Sequence, residues 1–485
     1  MSLFRTKPVK SIMESDGAAA GEPTLKRVLT ARHLVMLGIG AVIGAGIFVM
    51  TGNAAANYAG PAIILSFVMA GIACGFAGLC YAEFAAMLPV SGSAYSYSYA
   101  TLGEVVAWFI GWMLILEYTF AAATVAVGWS GYFVGLLESI GNALGMTLAL
   151  PEELTNAPLS LVNGRPVLTG ALINLPAVAI VLAVATLCYR GISQSATVNS
   201  IIVAIKVGVI LLFMAVTLQY VNPDNWTPFI PEPDGPGRFG FDGVVRGASV
   251  VFFAYIGFDA VSTAAQEAKN PQRDMPIGIL GSLAICTLIY IAMSAVMTGI
   301  MPYTMLGTPR PVATALENYP SLLWLKSLVE IGAIAGLTSV ILVMMLGQPR
   351  IFYSMSRDGL IPPLFGRIHP KYRTPHVGTV IVGATALILA GLLPIGVLGD
   401  LVSMGTLLAF ATVCIGVLIL RRTRPDLPRA FRVPAAPLVC ILGAAACLYL
   451  FYPAFMANWR WMSGWIVIGF VIYFAYSRRH SKLNA

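Results

Sequence analysis

Long apolar stretches, separated by short polar or charged segments, dominate this chain of 485 residues. A helix that crosses a bilayer needs about 20 mostly apolar residues. Twelve stretches have that character and predict twelve transmembrane helices, at 33–58, 61–83, 102–137, 171–189, 195–220, 243–266, 276–301, 323–354, 376–394, 400–420, 434–453 and 460–477. The third and eighth are long enough to tilt or to project beyond the bilayer. The pattern therefore predicts an all-α integral membrane protein.

Composition and charge support lipid as the solvent and suggest an orientation. Hydrophobic residues make up 58% of the chain and charged residues 10%, whereas a soluble domain usually carries about 25% charged residues. Most Lys and Arg residues fall in the N-terminal arm, in alternate loops and in the C-terminal tail. By the positive-inside rule, both termini are then cytoplasmic. The net charge of +8 thus indicates orientation, and we expect membrane lipid rather than nucleic acid as a partner.

Side chains that could form a catalytic or metal centre are not arranged as such a centre requires. All seven cysteines fall in apolar stretches, where we interpret them as small packing residues. The four histidines show no metal-ligand spacing, and no Ser/His/Asp arrangement is apparent. Rings of charge or a repeated filter motif, which would indicate a channel, are not visible either. We therefore expect no enzyme activity and no cofactor.

Two of the apolar stretches have centres that are poor helix formers. The first contains "GIGAVIGAGIF" at 38–48, in which four residues are glycine, at about 1 kcal/mol each relative to alanine. The sixth contains "VFFAYIGFDAVSTAAQE", with Gly257 followed by the polar residues Asp259, Ser262 and Thr263. Interrupted helices at matching positions of two halves point to a transporter with an inverted repeat.

The glycines of the first stretch have two interpretations. Gly40 and Gly44 form a G-x-x-x-G motif, which lets two helices pack closely. The alternative is an unwound segment that lines a cavity, since free backbone groups are not tolerated against lipid. Amide groups that would favour a carboxylate belong to Gly44, Ala45 and Gly46. Carbonyl groups that would favour an ammonium belong to Phe253, Ala254 and Ile256. Together they suit the common end of an amino acid.

Three ionisable residues lie deep in apolar stretches, where charges are costly and often functional. Lys206 lies roughly 16 Å into the fifth stretch, near the midplane, as a paired structural lysine or as an amine that exchanges a proton. Glu117 could pair with Lys206, contact a substrate amine or hold a polar network. We expect Asp259 to cap the second half of the sixth helix.

Several segments resemble one transporter superfamily. "MLGIGAVIGAGIFVMTG", "FAAMLPVSGSAYSYSYATLGE", "FFAYIGFDAVSTAAQEAKNPQRDMPIGI" and "RIFYSMSRDGLIP" are similar to the amino acid–polyamine–organocation superfamily, and to bacterial members of its cationic amino acid transporter branch. The resemblance covers about 25–480. It implies a leucine-transporter-like fold of two inverted five-helix repeats, with discontinuous helices 1 and 6 and two further helices. The implied division is a cytoplasmic arm at 1–32, repeats at 33–220 and 243–420, helices 11 and 12 at 434–477, and a cytoplasmic tail at 478–485.

The resemblance also implies roles for individual residues. It places the substrate carboxylate at Ile43, Gly44, Ala45, Gly46 and Ile47 of the broken first helix. It places the amino group at Phe253, Ala254 and Ile256, with Phe253 as a gate. Ala45 stands where family members often carry Thr or Ser, so a hydroxyl contact to the substrate is lost.

Three further roles follow from the resemblance. Lys206 matches a lysine that occupies the place of a sodium ion in sodium-coupled relatives, which implies proton coupling. The third-helix glutamate of the family corresponds to Glu117. Met345 resembles a position that limits pocket depth, and a methionine there favours small neutral amino acids over arginine.

We therefore expect a proton-coupled amino acid importer of a bacterial inner membrane that works by alternating access, with small neutral substrates such as alanine and with cationic amino acids as the alternative. An exchanger or a nutrient sensor with the same fold is the alternative, ahead of a channel or a membrane-embedded enzyme. The energy source would be the proton gradient. We expect a monomer, and leave open a small membrane subunit as a partner.

Overall fold

The structure, a computed structural model, describes residues 4–8, 12, 27–90, 92–162, 165–191 and 196–484. Among them, the α-helices are α1 (Ala31–Val42), α2 (Thr51–Ala54), α3 (Ile63–Met87), α4 (Ser93–Thr101), α5 (Glu104–Ile115), α6 (Ala121–Leu144), α7 (Leu175–Tyr189), α8 (Ala196–Thr217), α9 (Gly240–Val251), α10 (Ala260–Thr263), α11 (Pro271–Ile300), α12 (Pro311–Glu317), α13 (Leu323–Arg357), α14 (His376–Leu392), α15 (Ile395–Thr423), α16 (Ala436–Ile472) and α17 (Arg478–His480). One antiparallel hairpin joins β1 (Leu159–Val162) to β2 (Arg165–Leu168).

Length and hydropathy identify the helical stretches that could cross a membrane. In the described part of the chain there are eight, namely Ala31–Met87, Glu104–Leu144, Val198–Tyr220, Gly240–Thr263, Pro271–Ile300, Pro320–Arg357, Ile395–Thr423 and Ala436–His480. Two shorter apolar helices, α7 and α14, lie between them. The chain is therefore a multi-pass, all-helical membrane protein. Twelve crossings and their grouping into two repeats stay predictions.

Helix boundaries follow the local chemistry of the sequence. Pro176, Pro271 and Pro311 stand in the first turns of α7, α11 and α12, where the missing amide hydrogen removes no helical hydrogen bond. Gly145 ends α6 in a left-handed conformation with φ of 68°, which glycine adopts without steric cost.

The two chain ends meet on one side of the molecule, which we call the terminal side. The Arg5 guanidinium donates to the Leu483 carbonyl at 3.0 Å. The Lys7 ammonium contacts the Asp358 carboxylate at 2.8 Å. Asp358 follows the end of α13, so this helix also ends on the terminal side.

Helix α15 runs to the terminal side from the opposite side of the molecule, which we call the hairpin side. Arg421, near its end, donates to Glu83 of α3 at 3.0 Å. Asp400, near its beginning, accepts a hydrogen bond from Asn458 at 2.6 Å. At 1.5 Å per residue these points are about 30 Å apart, which is the thickness of a bilayer core.

Asn458 divides α16 into two halves. Its φ of −129° and ψ of 25° depart from helical geometry. Before it, Cys440 lies 3.5 Å from Cys80 of α3, and after it the hydroxyl of Tyr473 donates to Glu104 at 3.0 Å. Both halves therefore extend from the hairpin side towards the terminal side and form a helical hairpin.

Candidate functional site

The first helix is interrupted where its glycines predict an interruption. Helix α1 ends at Val42, and Ile43 takes an extended conformation with ψ of 97°. The chain continues as a widened helical turn at Gly46–Met50. Backbone groups on the two sides of this interruption therefore lack regular helical hydrogen-bond partners and lie in the interior of the protein.

The sixth helix is interrupted in a similar way. Helix α9 ends at Val251, a tighter turn covers Phe252–Tyr255, and Ile256 is extended with ψ of 132°. Gly257 has φ of 117°, a conformation that disfavours other residues. A Cβ atom at Gly257 would also lie 2.9 Å from the carbonyl carbon of Ala41. Glycine is thus required here both for the turn and for contact with the first helix.

The two interruptions touch each other. A Cβ atom at Gly46 would lie 2.2 Å from Cα of Ala254, a separation that real side chains do not show. Gly46 therefore allows the broken segments of the first and sixth helices to meet backbone to backbone. The structure brings together the two segments that sequence reasoning paired.

Lys206 donates hydrogen bonds into the first interruption. Its ammonium lies 2.6 Å from the carbonyl of Gly40 and 2.8 Å from that of Ile43. The residue is 1% exposed, and its stem passes Gly336 of α13, where a Cβ atom would lie 3.2 Å from its Cδ. The ammonium therefore satisfies two carbonyls at the end of α1, where a cation is favoured by the helix dipole.

Tyr290 of α11 links the two interruptions. Its hydroxyl lies 2.8 Å from the carbonyl of Val42 and 2.9 Å from that of Ala254. A hydroxyl has a single hydrogen, so it donates to one of these carbonyls at a time. The remaining carbonyl keeps a free lone pair beside the site.

A small enclosed cavity lies where the interruptions meet. Its walls come from α1, α6, α13 and the two interruptions, through Ala41, Val42, Gly44, Ala45, Gly46, Ala121, Val125, Phe253, Ile256, Val340 and Met344. Among these residues none is charged. The side chains that line the cavity are therefore apolar or absent, and its polar groups come from the backbone.

Five of the predicted site residues line this cavity, and the others lie around it. The five are Gly44, Ala45, Gly46, Phe253 and Ile256. Ile43 binds Lys206 through its carbonyl, and Ala254 contacts Gly46. Ile47 is fully buried but does not line the cavity.

Met344, rather than Met345, is the methionine in the cavity wall. The Cε atom of Met345 lies 3.7 Å from a Cβ built on Gly383 of α14, so its side chain extends towards that helix. Successive residues of an α-helix differ in direction by about 100°, since a turn takes 3.6 residues. In the described structure the wall of this cavity therefore contains Met344, and the role expected of Met345 stays a prediction.

Glu117 lies outside the cavity, in a buried polar group with Asp259, Tyr118 and Thr406. The Tyr118 hydroxyl donates to Asp259 at 3.1 Å. Asp259 has helical backbone angles and makes no capping hydrogen bond, so the predicted cap is absent from the described structure. A cap needs an extended residue before the first turn. The role of Glu117 among the three that the sequence allows stays a prediction.

A second, larger cavity opens on the hairpin side. It has a volume of ≈ 850 Å³ and reaches from the β-hairpin region at Thr169 to Val49 and Asn53, beyond the first interruption. Glu138 and Arg310, which contact each other at 2.7 Å, lie in its wall. This cavity and the small one have no lining residue in common.

Sequence reasoning missed Tyr290, Met344, Val125 and Val340. Each is an ordinary apolar or aromatic residue in an apolar helix, with no local pattern that marks it. Tyr290 could be suspected only as a hydroxyl near the midplane, since a buried tyrosine hydroxyl usually finds a hydrogen-bond partner.

Known proteins are similar to this chain over most of its length. Residues 29–476 match the amino acid permease family. The chain is 47% identical to the branched-chain amino acid permease BcaP of Bacillus subtilis (strain 168), and 46% identical to the methylthioribose transporter of the same strain, over 100% of this chain and 99% of each relative. It is 39% identical to the vacuolar cationic amino acid transporter 2 of Arabidopsis thaliana, over 90% of this chain and 67% of that protein.

Proposed function

The chain belongs to the amino acid permease family of the amino acid–polyamine–organocation superfamily, and from this premise we propose that it is a proton-coupled importer of neutral amino acids. The terminal side faces the cytoplasm of a bacterial inner membrane, and twelve helices cross it as two inverted five-helix repeats followed by a hairpin. Alternating access carries the substrate from the hairpin side to the terminal side.

The contact between the two interruptions is the observation that supports this proposal. Amides at Gly44–Gly46 begin the second half of the first helix, where a carboxylate is favoured. The carbonyl of Ala254 lies beside them, with Tyr290 shared between it and Val42. An amino acid zwitterion carries a carboxylate, which the amide groups would bind, and an ammonium, which the carbonyl groups would bind.

The rest of the cavity wall favours a neutral, aliphatic side chain. It is formed by Ala121, Val125, Val340 and Met344. A guanidinium would lose its hydration there without gaining a partner, which is costly. We therefore propose small neutral substrates such as alanine, extending to the branched-chain amino acids named for one relative.

The methylthioribose named for another relative is a second candidate that the wall disfavours. A sugar brings several hydroxyl groups, and the cavity residues offer no polar side chain to bind them.

Coupling would depend on Lys206. A protonated amine binds the carbonyls of Gly40 and Ile43, whereas a neutral amine holds them less strongly. Protonation would therefore stabilise one arrangement of the first helix, and its loss would favour another.

Counterflow in proteoliposomes tests the proposed function. Vesicles loaded with unlabelled alanine, valine, leucine, arginine or methylthioribose would be diluted into labelled alanine. We expect saturable accumulation with the neutral amino acids and none with the other two. Uptake that never saturates would indicate a channel, and binding without uptake would indicate a sensor. A requirement for internal substrate, even with an inward proton gradient, would indicate an exchanger.

A further inference from the structure

The chain end after the last long helix folds back onto the terminal side. We call residues 477–484 the tail. The Ser477 hydroxyl donates to the carbonyl of Leu360 at 2.6 Å, in the segment that follows α13. A Cβ atom built on Gly359 would lie 2.2 Å from the carbonyl oxygen of His480, so this glycine lets the tail cross that segment backbone to backbone. The tail is therefore packed against the end of α13.

One tail side chain is buried against a carboxylate. Ser481 is 3% exposed, and its hydroxyl donates to Glu104, the first residue of α5. The other carboxylate oxygen of Glu104 accepts a hydrogen bond from the Tyr473 hydroxyl at 3.0 Å. A hydrogen bond to a carboxylate is stronger than one between neutral groups. Ser481 therefore attaches the tail to α5 as well.

The beginning of the chain docks on the same two helix ends. We call residues 4–8 the arm. The Lys7 ammonium contacts the Asp358 carboxylate, just after α13, at 2.8 Å. The carbonyl of Arg5 accepts a hydrogen bond from the Glu104 amide at 3.0 Å. The arm therefore lies across the terminal-side ends of α5 and α13.

The tail binds the same residues that bind the arm. The carbonyl of Asp358 accepts a hydrogen bond from the Lys482 amide at 3.1 Å, while its carboxylate binds the arm. Glu104 binds the tail through its carboxylate and the arm through its amide. In addition, the Leu483 carbonyl accepts a hydrogen bond from the Arg5 guanidinium at 3.0 Å. The tail thus positions both contact points of the arm and touches the arm directly.

These contacts suit a segment that docks and releases. They are hydrogen bonds at the edge of the protein, and each replaces a hydrogen bond to water, so the net stabilisation of the docked tail is modest. The side chains of Arg478, Arg479, His480 and Lys482 are exposed. Chain ends held in this way can open locally while the rest of the protein stays folded.

We infer that the tail is a regulatory strap, which keeps the arm docked across the terminal-side ends of α5 and α13. Release of the tail frees the arm, and the terminal side then opens more readily. The docked strap therefore favours the arrangement in which the terminal side is closed. This inference rests on the proposed transport function, because only a transporter opens that side during its cycle.

Two variants of different severity release the tail. A stop codon after His480 removes the contacts made by Ser481, Lys482 and Leu483 and leaves every helix in place. Ser481→Ala removes only the hydroxyl that binds Glu104. His480→Ala is the matched control, since the His480 ring stacks on Tyr476 within the same chain end.

A distance measurement reports docking of the arm without any substrate. Spin labels at Phe4→Cys and Leu364→Cys, which are 64% and 43% exposed, report the separation of the arm from the segment after α13. The seven native cysteines are buried and should stay unlabelled. We expect one narrow distance distribution in the otherwise unmodified protein and in His480→Ala. The truncated protein and Ser481→Ala should show a second, broad population.

Counterflow of labelled alanine reports the effect on transport. Truncation should accelerate exchange by about fivefold, the effect of roughly one hydrogen bond on an equilibrium. Ser481→Ala should accelerate it less, and His480→Ala should leave it unchanged.

Unchanged distances in both the truncated protein and Ser481→Ala would overturn the strap. A released arm with unchanged or slower exchange would overturn its regulatory role. If the protein exchanges no amino acid but the distances respond as expected, the transport proposal fails, and the docking of the arm by the tail stands.

Discussion

At the scale of single residues, the Lys206 amine occupies the first interruption and binds two of its carbonyl groups. Lys206 has two carbonyl partners at hydrogen-bond distance and is almost fully enclosed. A cation is therefore supplied by the protein itself at the end of α1. The consequence for transport can be tested with a substitution that removes the charge of the Lys206 side chain and keeps its volume.

Replacing Lys206 with Met should abolish the dependence of uptake on a pH gradient. The methionine fills the space but donates no hydrogen bond, so protonation can no longer change how Gly40 and Ile43 are held. In the native protein, acidifying the outside of proteoliposomes should accelerate alanine accumulation. Exchange of bound alanine should persist in the variant. Accumulation driven by acid in Lys206→Met would contradict the coupling role.

Replacing Met344 with Ser should widen the cavity, whereas replacing Met345 with Ser should not. Met344 is in the wall, and its neighbour extends towards Gly383. Leucine should compete better against labelled alanine in Met344→Ser, by about 1–3 kcal/mol. Met345→Ser is the matched control, with the same chemistry one residue along. Equal competition profiles for the two variants would show that the wall assignment is wrong.

At the scale of helices, the interruptions work as one unit because a third helix links them. Tyr290 of α11 reaches the carbonyls of Val42 and Ala254, and Gly46 lets the segments touch. A change in the backbone conformation of one broken helix therefore alters the contacts of the other.

Tyr290→Phe should weaken this link while preserving the packing of the ring. The carbonyls of Val42 and Ala254 lose the hydroxyl donor that they share. Leaving a buried polar group without a hydrogen bond costs about 1–3 kcal/mol of free energy. We expect weaker alanine binding in a scintillation proximity assay. Tyr319→Phe is the control, since that hydroxyl donates to the carbonyl of Ile300 at 2.8 Å, outside both interruptions. A loss of affinity that is equal in both variants would indicate general destabilisation.

The sequence predicted these interruptions because their cause is local. Gly44, Gly46 and Gly257 lie at the interruptions, and because glycine is a poor helix former their local pattern indicated both regions. The link through Tyr290 joins residues 248 positions apart and leaves no local pattern. Met344 was missed for a related reason, since the rotation of a long helix must be known to within one residue.

At the scale of the whole molecule, an ion pair between Glu83 and Arg421 joins several segments on the terminal side. Glu83 of α3 is 2% exposed and accepts hydrogen bonds from Arg421 and from the Val433 amide, at 3.0 and 2.7 Å. It therefore joins α3 to the end of α15 and to the segment that precedes α16.

Glu83→Gln should lower the thermal stability of the purified protein. Arg421 and the more buried Arg429 lose the carboxylate that they share, and breaking a fully buried pair costs about 3–5 kcal/mol. The unfolding temperature in detergent would measure it. Glu152→Gln, at an exposed position, changes the net charge equally and should leave that temperature unchanged. Equal temperatures for the two variants would show that Glu83 is dispensable.

The amine that fills the first interruption has a further consequence, for the ionic medium in which the protein works. A dissolved metal ion must be captured from solution, at a rate and occupancy set by its concentration, and released again in each cycle. The Lys206 ammonium is attached to the chain, so its supply is independent of salt, and under the proposed coupling only a proton would enter and leave. Uptake should therefore proceed at the same rate in sodium, potassium or choline buffers of equal pH and ionic strength.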